Sequence, residues 1–66
     1  MKYLEMAEEY DNSAKIIKEK IDFYRKERKK SKNKEEYYSK ITYYKHLYYD
    51  LIYTRNMLLK KGNKND

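Results

Sequence analysis

"KKSKNKEEYY", residues 29–38, parts two stretches whose apolar residues each recur at helical spacing. Upstream, Tyr3, Ala7, Tyr10, Ala14, Ile17, Ile21, Tyr24 and Arg28 advance by alternating steps of four and three, the signature of a helix with one buried seam. Downstream, Tyr37, Ile41, Tyr44, Tyr48, Leu51, Arg55 and Leu58 repeat that alternation. Carried on by sevens from Tyr24, the first seam reaches 31, 38, 45 and 52, whereas the second occupies 37, 44, 51 and 58. That slip of one residue would swing the apolar face of a single long helix by about 100°. A break in the quoted stretch removes the conflict.

The stretch also carries the chemistry of a helix start. Asn33 is a good N-cap, and Glu36 three residues later completes a capping-box pattern. Glu35 and Glu36 suit the positive end of a helix dipole, as Glu5, Glu8 and Glu9 do in the first segment. At the far end, Lys60 and Lys61 precede Gly62, which reads as a left-handed residue after the last turn. The sequence predicts an all-α fold, with helices over about 3–30 and 34–61. Residues 1–62 form one helical-hairpin domain in this reading, and 63–66 a flexible polar tail. Folding the chain so that paired residue numbers sum to 65 sets every position of one seam against a position of the other. Ala7 and Ala14 then meet Leu58 and Leu51, while Arg28 meets Tyr37 and Arg55 meets Tyr10, each guanidinium over a ring.

Sixty-six residues make one domain at most, and a chain this short buries too little surface to be comfortably stable alone. It has no cysteine, which excludes disulfides and thiolate zinc sites, and its one histidine, His46, argues against an imidazole metal site. A partner surface is the remaining source of stability. No run approaches the roughly 18 apolar residues of a membrane span. The opening MKYLEMAEEYDNS lacks the apolar core and cleavage site of a signal peptide, so a cytoplasmic location is expected. Lys, Asn, Tyr and Ile supply 34 of the 66 residues, all with A/T-rich codons, so the tyrosine and lysine excess partly reflects codon bias.

The seams leave apolar residues over. One flank of the hairpin gathers Met6, Ile16 and Phe23 with Tyr43, Leu47 and Met57. The other gathers Leu4, Tyr38, Tyr49, Ile52 and Leu59 among Asp11, Lys18 and Lys45. Two helices need a second layer over such a flank, and two stacked hairpins give a four-helix bundle. Tyrosine suits that role, burying its ring while its hydroxyl stays at a wet rim. The expected interface is Ile16, Phe23, Tyr43, Leu47 and Met57, in a homodimer or against a different protein.

Residues 24–34, YRKERKKSKNK, carry seven basic side chains against one Glu. Arg25, Lys26, Arg28, Lys29, Lys30 and Lys32 are the candidates for phosphate contact with RNA or DNA, with Tyr24, Tyr37 and Tyr38 near enough for base stacking. The plainer reading is a solvated turn whose lysines compensate a helix dipole. No nucleophile or oxyanion donor is suggested around His46, although Tyr43 and Asp50 lie a turn away, and there is no glycine-rich phosphate loop. The apolar faces are already claimed, which argues against a membrane-surface helix.

In size and seam pattern the chain resembles the Rop-type helical hairpin, which implies a dimeric four-helix bundle and RNA binding; no residue motif matches, so no contact residues carry over. It also resembles a family of short helical-hairpin phosphatases marked by Ser-Gln-Glu-Leu-Asp. Its nearest stretch, Tyr48-Tyr49-Asp50-Leu51-Ile52, keeps one acid and the Leu but lacks the final Asp. The stretch KITYYKHLYYDLIYTRNML is similar to small two-helix proteins of prophages and conjugative elements in low-GC Gram-positive bacteria, a likeness that implies no activity. The resulting expectation is a non-enzymatic interaction or adaptor protein without a cofactor. Its alternatives are a nucleic-acid-binding accessory protein and a small inhibitor docking on a larger enzyme.

Overall fold

The structure, a computed structural model, describes residues 2–65. The break falls where the register slip requires it: α1 spans Tyr3–Lys30 and α2 spans Lys34–Asn65. The helices pack side by side as an antiparallel hairpin, a rod of 51 × 14 × 12 Å. Cross-helix contacts between Tyr3 and Lys61, Asp11 and Arg55, and Tyr24 with both Tyr37 and Tyr44 bracket the expected pairing sum of 65.

The turn takes three residues and no left-handed backbone, since no described residue has a positive φ. Ser31 leaves α1 in an extended conformation, its N–H donating to the Arg28 carbonyl at 3.3 Å. The Ser31 Oγ accepts the Asn33 N–H at 3.0 Å, closing a small local loop. Asn33 caps α2 as expected, its Oδ1 accepting the Glu36 N–H at 3.4 Å. The return half of the box differs. Glu36 Oε2 accepts from the Asn33 side-chain Nδ2 at 3.3 Å, because the Asn33 N–H is already held by Ser31.

Two expectations need correcting. Gly62 does not end α2 in a left-handed conformation, and the helix continues to Asn65, so residues 63–65 are helical. Asp66 lies outside the described residues. The reason is the seam itself: four residues past Leu58, Gly62 occupies the next seam position, opposite Tyr3, and is buried there. A missing side chain at that point gives the Tyr3 end of α1 room to approach. The second correction concerns arginine. Neither Arg28 nor Arg55 lies over a ring; Arg55 Nη1 reaches Asp11 Oδ1 at 2.6 Å, a charged acceptor that outcompetes the face of Tyr10. Lysines take the ring faces instead, Lys40 over Tyr24 and Tyr37 and Lys61 over Tyr3.

The core is thin. Its buried apolar side chains are Ala7, Ala14, Ile21, Ile41 and Leu58, all on the two seams. The alanines let the helices approach closely, since ridge-into-groove packing leaves little room where backbones are near. Ala14 is only 2% exposed. Ala14→Leu is therefore expected to force the helices apart and to destabilise the hairpin by about 1–3 kcal/mol, read as a lower melting temperature by circular dichroism. An unchanged melting temperature would contradict close packing at this seam position.

Candidate functional site

The heptad geometry gives the rod two flanks, and the structure makes them chemically different. On the first, an aromatic row crosses from helix to helix. Phe23 meets Tyr24 edge-on at 5.4 Å, Tyr24 stacks on Tyr44 at 5.6 Å, and Tyr44 meets Tyr43 edge-on at 5.3 Å. Tyr24 and Tyr44 belong to the seam, while Phe23 and Tyr43 are its outward ends, 56% and 61% exposed. Ile16 and Met57 are also exposed, and Leu47 is half-buried. By helical position the five expected interface residues fall on one flank, where Ile16 and Phe23 line a shallow groove on α1 together with Glu19, Lys20 and Tyr24.

The second flank also exposes large apolar side chains, Leu4, Tyr38, Tyr49 and Leu59, but carries an ion pair across the helices where the first carries the aromatic row. Near its open end, Leu4, Ala7, Glu8, Asp11, Arg55 and Leu59 line one groove. Arg55 spans it, bound to Asp11 across the helices, while its Nε and Nη2 donate to Asn56 Oδ1 at 3.3 and 3.1 Å. Lys15 Nζ holds the other Asp11 oxygen at 3.3 Å. Halfway along, Lys18, Asp22, Arg25, Lys45 and Tyr49 rim a second groove floored by Ile21 and Tyr48. At the turn, Arg28, Lys34, Glu35 and Tyr38 form a third.

Of the expected nucleic-acid residues, Arg25 and Arg28 line the second and third of these grooves. Lys29 lies on the same side of α1 by helical position, Lys30 on the aromatic side, Lys26 on the back of the helix and Lys32 in the turn. All are exposed except Arg28, which is half-buried. The basic group thus encircles the turn rather than forming one patch. Sequence reasoning set Lys18 and Lys45 on one flank with Tyr38 and Tyr49, but did not join Arg25, Arg28 and Lys34 to that surface. The signal was present, since positions 18 and 45, and 25 and 38, face each other across one flank in an antiparallel pair.

His46 is exposed, and no hydrogen bond joins it to Asp50. Among the described residues no three His, Asp or Glu side chains converge as metal ligands, and no helix is long and apolar enough to cross a membrane. The chain matches no family model, no curated protein and no solved structure.

The acidity of Asp11 is shifted by its partners. The Arg55 hydrogen bond, then that of Lys15, lowers its pKa below the ordinary carboxylate value of 3.8. Its folded value lies below its unfolded one, so its stabilisation is complete above about pH 4 and is lost as pH falls through the lowered value. Asp11→Asn is expected to lower the melting temperature at neutral pH, with the gap to the parent narrowing as pH falls below about 4 and the parent begins to lose the pair as well. A constant gap across a melting-temperature series from neutral pH to about pH 2 would show that the ion pair does not carry the effect.

Proposed function

We propose that the protein is a non-enzymatic helical interaction module that works through self-association, two hairpins packing over the Ile16, Phe23, Tyr43, Leu47 and Met57 flank into a four-helix bundle. The observation that carries this reading is the aromatic row crossing the hairpin and ending in exposed Phe23 and Tyr43. Area supports it. The hairpin exposes 5439 Å², against roughly 4,600 Å² for a compact monomer of 8.3 kDa. The excess, about 850 Å², is close to the ~800 Å² that each partner contributes to a standard interface.

Charge selects the flank and the orientation. The second flank carries Lys18 beside Lys45 at mid-rod, which a two-fold axis would press against a second such pair. At the corresponding height the first flank has Ile16 and Leu47 with a single cation, Lys20. Of the seventeen basic side chains, eleven fall in the turn half, residues 17–48, with five of the eleven acidic ones. The whole net charge of +6 therefore sits in that half. Two copies related end for end keep those halves apart and bring Phe23 and Tyr43 of one copy toward Met57 of the other. A thioether adapts readily to aromatic rings. The likeness to the Rop-type hairpin in size and seam pattern favours the same assembly.

Light scattering after size exclusion tests it. The parent should run near twice 8.3 kDa, and Phe23→Asp and Leu47→Asp should give monomers or unfolded chains. Tyr53→Asp, on the back of α2 and 67% exposed, should remain dimeric. A folded parent monomer at every concentration, or an unchanged mass in both flank variants, would overturn the proposal; the first result would point to a different protein as the occupant.

A further inference from the structure

We infer that the second flank, from the turn to mid-rod, binds single-stranded nucleic acid, with phosphates on Arg28, Lys34, Arg25, Lys18 and Lys45 and bases on Tyr38 and Tyr49. The turn groove and the mid-rod groove adjoin, because Arg25 of one and Tyr38 of the other stand at facing flank positions. Together they make one strip on the half of the rod that carries the net charge.

The cations are free to bind. Among the described residues Lys18, Arg28, Lys34 and Lys45 have no carboxylate within 4.0 Å, and Arg25 meets Asp22 only at that limit, between half-exposed side chains. The rings are free as well. Tyr38 is 63% exposed and packs on no other ring, while Tyr49, 64% exposed, touches Tyr48 by an edge-on contact. Eleven residues apart on one helix, they stand about 16 Å from each other, with cations on both sides. Asp22 and Glu35 also line the strip, leaving its five basic groups in excess by three.

Several polyanions satisfy positive charge, but fewer use flat, exposed rings between the charges. Bases of a single strand stack on such rings whatever their identity, whereas in a duplex they are already stacked on each other. An acidic peptide would engage the cations and leave the rings idle. An anionic membrane would call for aliphatic side chains to insert beside the cations, and the exposed residues that line the strip include none. Because this flank is opposite the aromatic row, binding here does not require the dimer.

The test is fluorescence polarisation with a labelled twelve-nucleotide oligothymidylate, alongside the same length of duplex, poly-glutamate, and vesicles containing phosphatidylserine. Binding should favour the single strand. With five phosphate contacts it should weaken by about a hundredfold between 50 and 200 mM salt. Arg28→Gln with Lys34→Gln should flatten the log–log salt slope by about 1.4. Tyr38→Ala should weaken binding at least about fivefold, and Tyr38→Phe, which keeps the ring, should restore it. Mass and helicity should be unchanged in all of these variants, which separates a failure here from a failure of self-association. No binding, equal binding to poly-glutamate or duplex, preference for vesicles, or indifference to Tyr38→Ala would each overturn the inference.

Discussion

Two helices share only one surface, and everything else about this protein follows from that limit. The seam built from Ala7, Ala14 and Ile21 against Ile41 and Leu58 is narrow, and no larger side chain becomes fully enclosed. A bundle of three or four helices has an interior; a pair has a contact line with two open flanks. The small residues on that line draw the helices together, and the larger ones are left partly uncovered. Exposed Phe23 and Tyr43 are consequences of the architecture before they are anything else, and their continuity with Tyr24 and Tyr44 makes them a surface instead of a scatter.

The flanks then divide by chemistry. One combines aromatic rings with Ile16, Leu47 and Met57, bordered by Lys20 and Lys40, suited to partial removal from water. The other combines the Asp11–Arg55 pair, unpaired cations and tyrosines, suited to a wet, charged ligand. The same residue type serves both: a tyrosine ring against another ring contributes buried area, and a tyrosine ring between lysines offers a face for stacking. Neighbours decide which role it has.

The hairpin was legible in the sequence because it rests on periodicity and local capping, which short-range spacing specifies. The slip between Tyr24 and Tyr37 located the break, and Asn33 with Glu36 located the restart. Gly62 was misread because its local context, lysines before and polar residues after, matches a helix end, although the pairing sum of 65 already sets it opposite Tyr3, four residues past Leu58. Arg55 was misread for a similar reason. A seam position suggested a ring partner, but Asp11, one residue beyond Tyr10, is in reach and binds a guanidinium more strongly. The exposure of Ile16, Phe23, Tyr43 and Met57 followed from heptad arithmetic, since none of them falls on a seam. The cationic strip was not read whole, because its members come from both helices and from three separate stretches of chain.

The antiparallel pairing also orders events in time. Contacts beside the turn join residues 24 and 37, whereas those at the open end join 3 and 61. Closing the longer loop first would cost about 1.3 kcal/mol more in chain entropy, so the hairpin zips from its turn. Yet that end holds the whole net charge, and its lysines and arginines must be drawn together at the start. Dissolved salt, which shortens the reach of that repulsion to about 8 Å at physiological strength, therefore acts on the speed of closure, a dependence readable in refolding rates. The open end, where Leu58 and Gly62 lie against the start of α1, closes last and is first to fray.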